Sequence, residues 1–417
     1  MEYKTTKIGN LVDINQRNLS KDMRIEYMYY LDTGNITRNR VDEIKYFDVK
    51  KDKIPSRARR IPKEKSILYS TVRPNQEHYG YLDGIDYENL IVSTGFVVID
   101  VYEEIANSKY IYYFLTQNHI TDYLQKIAET SVSTYPSIKP SDIEQLSINL
   151  PLLSYQNKVV SILSSFDKKI ETNNKIIENL ETQAQAIFKS WFFDFEPFQE
   201  GEFVESEFGM IPEGWEVVPV KEMSQSVITG KTPSTKNKEY FGNFMPFIKI
   251  PDMHNKVYTI TTEVYLSEKG VQSQKNKTLP KNSICVSCIA TVGLVNLVLE
   301  ESQTNQQINS IIPAEGISPY YLYFAMKNLY DYLNSIASGS TQKNINKNDF
   351  ERIKIINPNH KIMDRYHYFS KPLFELIKNL QLQNQNLAQL RDTLLPKLMS
   401  GEIRVGQDEV EEIENPL

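Results

Sequence analysis

Two long stretches of the chain repeat apolar residues at alternating steps of four and three. Val159, Leu163, Phe166, Ile170, Asn173, Ile177, Leu180, Ala184, Ile187 and Trp191 make the first. This is a heptad seam, a stripe narrow enough to be buried by another helix rather than by a sheet. Shifted by 207 positions, the same steps land on Tyr366, Ser370, Leu373, Ile377, Leu380, Asn384, Leu387, Arg391, Leu394 and Leu398, a weaker seam with the same period. The pattern predicts two helices of about 40 residues, each about 60 Å long, paired with one another. An antiparallel pairing that sets Asn173 opposite Asn384 uses both seams end to end. Val159 then meets Leu398, and Trp191 meets Tyr366. A polar Asn in a seam costs stability but fixes register by bonding its counterpart; the alternative is that each Asn sits at a wet or frayed position. Pro396 is expected to kink or end the second helix.

Ahead of each seam the pattern changes. Short apolar runs such as SILYSTV, LIVSTGFVVI and SICVSCIATVGLVNLVL are bounded by Gly, Pro and Asn, as strands are. A short helix is expected around 108–126 and again around 318–335, followed by a turn-rich loop and a strand ending in Pro. These segments align with each other. YIYYFLTQNHITDYL (110–124) matches YYLYFAMKNLYDYL (320–333), and IPKEKSILYSTV (61–72) matches LPKNSICVSCIATV (279–292). TYPSIKPSDIEQLSINLP (134–151) matches TQKNINKNDFERIKIINP (341–358), with Thr134 on Thr341, Ile138 on Ile345, Asp142 on Asp349 and Pro151 on Pro358, all at the same offset of 207. The chain is therefore two copies of one unit of about 200 residues, and duplication at this scale dictates the architecture. The expected fold is α+β, with two mixed α/β domains related by a pseudo-two-fold axis and joined by a long antiparallel helix pair. The boundaries read as a first globule at 1–151, a helix and connector at 152–196, a second globule at 197–358, a second helix at 359–405 and an acidic tail at 406–417.

Charge narrows the function. The net charge of −6 argues against a uniformly basic nucleic-acid coat. Locally the balance reverses. From Arg38 to Arg73, 12 basic and 5 acidic residues give 12 − 5 = +7, and from Lys221 to Lys281, 10 lysines and 5 acids give 10 − 5 = +5. The acids Asp408, Glu409, Glu411, Glu412 and Glu414 are segregated to the tail. Each half thus carries one basic stretch, which reads either as a DNA-facing surface or as a solvated face. No apolar run approaches the roughly 20 residues that span a bilayer, and the N-terminal residues show no apolar signal core. With two cysteines, Cys285 and Cys288, a disulfide framework is excluded. These features place the chain in the cytoplasm.

Several strings resemble one family in the right order. SWFFDFEPF (190–198) looks like an inter-domain segment, and GMIPEGWEVVPV (209–220) like the start of a second recognition domain. ITGKTPSTKNKEYF (228–241) resembles a Gly-x-Thr-Pro loop, SGSTQKNINKNDF (338–350) a Gly-Ser-Thr loop, and LRDTLLPKLMSGEIRV (390–405) a C-terminal helix ending. Together, over essentially the whole chain, they resemble the specificity (S) subunit of type I restriction-modification enzymes. Two departures stand out: Val132 replaces the Gly339 of the second copy, and the first copy lacks a counterpart to the TGKTPS loop.

The resemblance implies a non-catalytic subunit that reads double-stranded DNA. Two methyltransferase subunits, carrying S-adenosylmethionine, would clasp it and methylate adenine at N6. Restriction subunits, carrying ATP and Mg, can join to translocate and cleave. Consistent with this division of labour, the sequence contains no Asn-Pro-Pro-aromatic or Asp-Pro-Pro-Tyr motif and no GxxxxGK[ST] phosphate loop. Half-sites about one turn, roughly 10 bp, apart would leave about 6 base pairs unread between them, with the helix pair as ruler. Arg suits guanine O6/N7 and Gln suits adenine N6/N7. The candidate DNA-binding residues of the first copy are therefore Arg38, Arg40, Arg57, Arg59, Arg60, Arg73, Gln76, Thr134 and Tyr135. Those of the second are Lys231, Thr232, Ser234, Lys236, Gln306, Gln307, Gln342, Lys343 and Asn344. Exposed aromatics at Trp191, Phe192 and Phe193, with the helix pair, are the expected docking surface for partner subunits, unless they pack as core. Two rival readings remain. Cys285-Val-Ser-Cys288 could bind zinc or act in redox chemistry, but in a strand the two side chains diverge. A coiled-coil adaptor whose globules bind protein would explain the rod but not two basic, Gln/Asn/Thr-rich globules.

Overall fold

The computed structural model describes residues 3–405, apart from 21–22, 24, 85–87, 132–134 and 340–342. Thr134, Gln342, Val132 and the acidic tail lie outside the described residues. The chain forms two compact units. One comprises residues 1–168 with 387–417, the other residues 169–386.

The first unit contains, in chain order, β1 (Lys4–Lys7), β2 (Val12–Ile14), β3 (Tyr27–Leu31), β4 (Ile36–Thr37), β5 (Arg40–Val41), β6 (Lys45–Asp48), β7 (Ala58–Arg60), β8 (Ile67–Ser70), β9 (Tyr79–Tyr81), β10 (Leu90–Ser93) and β11 (Phe96–Val101). Helices α1 (Ser108–Leu115), α2 (Asn118–Glu129) and α3 (Pro140–Glu144) follow, then β12 (Ser147–Leu150) and the start of α4 (Leu153–Phe192). One sheet has the order β2-β11-β8-β9, the other β6-β3-β10-β7, and β1 pairs with β12. Strand β11 is central and buried along its whole length, which explains its unbroken apolar run FVVIDV. The run LIVSTGFVVI is thus two strands, β10 and β11, joined at Thr94–Gly95. The helix expected at 108–126 is likewise broken, because Gln117 leaves helical geometry (φ −67°, ψ 140°) to cap α2.

The second unit repeats this plan. Its strands are β13 (Phe203–Ser206), β14 (Gly209–Pro212), β15 (Glu216–Pro219), β16 (Ser224–Thr229), β17 (Phe241–Gly242) and β18 (Met245–Ile248), then, after α5 (Ile250–Met253), β19 (Tyr258–Thr259) and β20 (Val264–Leu266). After α6 (Glu268–Gln272) come β21 (Ile284–Ser287), β22 (Val295–Val298), β23 (Gln303–Thr304) and β24 (Ile308–Pro313), then α7 (Pro319–Asn328), α8 (Tyr330–Ile336), α9 (Lys347–Glu351), β25 (Lys354–Asn357) and α10 (His360–Ser400). Sheet order β16-β24-β21-β22-β19 matches β2-β11-β8-β9, and β15 pairs with β25 as β1 does with β12. A parallel pair joins β3 with β10 in the first unit and β18 with β23 in the second, and the second unit has another, β19 with β22, in its five-stranded sheet.

The residues of both seams are buried or half-buried, none exposed, and the helices run antiparallel in each unit. In the second unit the Asn173 amide donates to Asn384 Oδ1 at 2.8 Å and to Gln383 Oε1 at 2.8 Å. Trp191 and Tyr366 rings lie 6.0 Å apart. In the first unit Val159 and Leu163 share one apolar cluster with Leu395, Leu398 and Met399, each such burial stabilising by roughly 1.5–3 kcal/mol. There Asp167 on α4 accepts from Tyr113 Oη on α1 at 2.6 Å and from Arg391 Nη1 on α10 at 2.6 Å. Burial opposes the Arg391 charge, but the carboxylates of Asp167 and Asp392 outweigh it and raise the guanidinium above its ordinary value. Pro396 does not end α10, which continues to Ser400. Leu398 and Met399 are buried, and the Tyr155 hydroxyl reaches Leu398 O at 3.3 Å, so tertiary packing holds the last turn despite the missing N–H.

Candidate nucleic-acid interface

In the second unit, the candidate residues meet at one end of the five-stranded sheet. Strand β24 begins there and β16 and β21 end there, as the pairings Thr229–Asn309 and Ser287–Ile308 show. Three loops leave that end. The first starts at Gly230, where a Cβ would lie 2.1 Å from Asn305 O and 2.4 Å from Thr304 O. Only glycine permits this approach, and it lets Lys231 N–H donate to Thr304 O at 2.9 Å. Thr232 Oγ1 then donates to Gln306 Oε1 at 2.7 Å. The second loop, 305–307, bonds through Gln307 O to Cys288 N–H at 2.8 Å. At the third, Asn344 bridges Ile289 and Ser338, and Lys343 O accepts from Ala290 N–H at 3.0 Å. Lys231, Ser234, Lys236, Gln306, Lys343 and Asn344 are exposed, while Thr232 and Gln307 are half-buried. Lys343 Nζ is steadied by Asn334 Oδ1 at 3.0 Å.

The first unit builds the same sheet end with the same backbone bonds. Thr71 N–H donates to Gly95 O at 2.8 Å, Arg73 N–H to Pro136 O at 2.9 Å, and Val72 bridges Ser137. The place beside β10 that corresponds to the Lys231 loop beside β23 is taken by β7: Thr94 N–H donates to Arg57 O at 2.8 Å, and Val92 pairs with Arg60. The counterpart of the TGKTPS loop is thus supplied by a different stretch of chain, which is why the sequence alignment lacks it. The segment that follows β2 lies one strand further out, with Leu19 N–H on Arg59 O at 2.7 Å and Ile61 N–H on Arg17 O at 3.0 Å. It exposes Gln16 and Arg17. Sequence reasoning missed both, because Arg17 is an isolated cation before the basic window; its neighbours are legible only once β7 is in place.

The arginines fall into distinct groups. Arg38, Arg40, Arg57, Arg59 and Arg73 are exposed, as is Gln76. Arg73 stacks over the Tyr135 ring at 5.1 Å. Arg38 lies in a hairpin turn against β9 and is ion-paired to Glu77 at 2.6 Å, where it lines a cavity of about 320 Å³ with Tyr113, Asp167 and Arg391. Arg60 is half-buried, with Nη1 on Asn18 Oδ1 at 2.9 Å, and burial lowers its basicity. The +7 window is also weaker than its count, since Glu26, Glu77 and Asp100, all outside it, pair with Lys50, Arg38 and Lys63.

Among the aromatics expected to be exposed, Phe192 is not. It is 1% exposed, packed on Tyr321 at 4.8 Å and Tyr366 at 5.0 Å, where it joins α4, α7 and α10. Trp191 is half-buried and Phe193 is exposed. Cys285 and Cys288 belong to different apolar clusters, as alternation along a strand requires, and burial pushes each thiol up to about 12. No group of His, Cys, Asp and Glu suited to a metal ion occurs among the described residues, and no helix among them is long and apolar enough to cross a membrane.

Two segments, residues 1–182 and 212–386, match the family model of the type I restriction modification DNA specificity domain. The chain is 34% identical over 467 aligned residues to the type I restriction enzyme HindI specificity subunit of Haemophilus influenzae, covering 96% of this chain and 100% of that one. It is 31% identical to the MjaIX specificity subunit of Methanocaldococcus jannaschii, over 72% of this chain and 69% of that one. A crystal structure of a type I restriction-modification S subunit from M. genitalium aligns with a TM-score of 0.52 over 95% of this chain and 96% of that one; at 15% identity this likeness concerns the fold.

Proposed function

The chain belongs to the specificity subunits of type I restriction-modification systems, and from that premise we propose that it reads a two-part DNA target with a fixed gap, one half through the sheet end of each unit. Such subunits are non-catalytic, so the chemistry falls to partners. In this reading two methyltransferase subunits bring S-adenosylmethionine and modify adenine N6, and restriction subunits bring ATP and Mg. The observation that carries it is the duplicated sheet end, where matching backbone bonds present Arg57, Arg59 and Arg73 in one unit and Lys231, Lys236 and Lys343 in the other. Cations of this kind supply affinity through phosphates, and polar side chains at the same loops supply base contacts. The test is co-expression with a cognate methyltransferase subunit in a methylation-free host, followed by genome-wide mapping of N6-methyladenine. A two-part motif with constant gap, dependent on this chain, is the expected result; a soluble assembled complex that leaves the genome unmethylated and binds no DNA would overturn it in favour of the adaptor.

A further inference from the structure

The two sheet ends can be aligned bond by bond. Thr71 N–H to Gly95 O has its counterpart in Cys288 N–H to Gln307 O, both 2.8 Å. Ile138 N–H to Thr71 O matches Ile345 N–H to Cys288 O, both 2.9 Å. Arg73 N–H to Pro136 O, at 2.9 Å, matches Ala290 N–H to Lys343 O, at 3.0 Å. Residues 73 and 290 are thus the same position in the two copies. Both adopt the left-handed backbone conformation, with φ of 48° and 66°. Non-glycine residues rarely hold that conformation, and its retention in both copies ties the residue's direction to the loop scaffold. Both are exposed. Their side chains differ completely: one is an arginine braced over Tyr135 at 5.1 Å, the other a methyl group.

We propose that position 73/290 is a paired specificity position, at which Arg73 reads a guanine of one half-site and Ala290 makes no hydrogen bond to the corresponding base pair of the other. The inference rests on the DNA-reading function above. A guanidinium whose backbone is fixed by a strand-like bond and whose stem is fixed by an aromatic ring loses little freedom on meeting guanine O6 and N7. An alanine at the same place offers apolar contact alone, so sequence choice there passes to neighbouring side chains.

The experiment uses the complete complex with its methyltransferase subunit. Methylation motifs are mapped for the natural chain, for R73A, which makes the first unit resemble the second, and for A290R, which does the converse. For R73A, one guanine of one half-site should become degenerate, its preference falling from about 5- to 160-fold to near unity, with the other half-site and the gap unchanged. For A290R, one position of the other half-site should acquire a guanine preference. If R73A weakens methylation equally at all sites with the motif intact, Arg73 is a phosphate contact and the proposal fails. It fails equally if A290R assembles and leaves its half-site unchanged, a result that counts even if R73A does not assemble. Absence of any two-part motif with the natural chain would instead overturn the DNA-reading function itself.

Discussion

Asn173 offers a substitution whose sign runs against intuition. Its side chain is fully buried, and its Nδ2 donates two bonds of 2.8 Å, to Gln383 and Asn384. Its Oδ1 is buried without a partner. Asn173→Leu removes two neutral bonds, costing about 1 kcal/mol each, and relieves an orphaned oxygen, regaining about 2 kcal/mol. The new leucine adds about 2 kcal/mol of apolar burial. The acceptors that lose the amide are Oδ1 of Asn384, which is half-buried and keeps its Nδ2 bond to Asn174 Oδ1 at 2.8 Å, and Oε1 of the exposed Gln383, so neither sits on a fully buried residue and their loss is covered by the cost counted per bond. The net is stabilisation by about 2 kcal/mol. For the unit of residues 169–386, whose size gives about 2–4 °C per kcal/mol, its thermal midpoint should rise by about 4–8 °C. Asn173→Ala is the control: it loses the same bonds and the same orphan but gains no leucine, so its midpoint should stay level or fall slightly. Differential scanning calorimetry of both variants decides. A fall in midpoint for N173L, or equal shifts for both, would refute the reasoning and show that the amide network contributes more than its separate bonds.

Three further outcomes are expected. Asp167→Ala leaves the buried Tyr113 hydroxyl without an acceptor while Arg391 keeps Asp392 at 2.8 Å, so denaturant titration should show a loss of about 2–4 kcal/mol, partly restored by Asp167→Asn. Inserting one helical turn into α4 should change the gap of the methylated motif and leave both half-sites as they were; sequencing that finds an altered half-site at constant gap would exclude the ruler. Because Cys285 and Cys288 are buried with thiols raised to about 12, a thiol reagent at pH 8 should react only as the protein unfolds. Their folded values lie above the unfolded value of about 8.5, so the associated stability is complete below that pH and is lost as pH climbs toward 12, which alkaline unfolding curves would register.

What was legible in the sequence was what local spacing controls. The period of the seams and one Asn in each sufficed for the antiparallel register, down to Trp191 against Tyr366. The divergence of the two cysteines followed from strand alternation. What was hidden depends on which segments become neighbours. Arg57 and Lys231 occupy corresponding places although they sit at different points of their repeats, a relation made by strand pairing alone. Arg38 looked like a free cation because Glu77 is distant in sequence. Phe192 looked like its neighbour Phe193 because one residue on a helix separates core from solvent. Pro396 signalled a kink or an end, and of the two the end falls four residues later, at Ser400, where apolar packing holds the last turn.

The division of the chain has a consequence for how it is made. The core of the first unit includes Leu395, Leu398, Met399 and Val405, yet the whole of residues 169–386 is synthesised before them. At about 5–20 residues per second, those 218 residues take roughly 10–40 s. During that interval Val159 and Leu163 on the nascent chain lack the partners that finally cover them. The unit that begins first on the ribosome is therefore completed last, and a chain that stops before residue 387 leaves its apolar stripe open to any helix that can take the missing place.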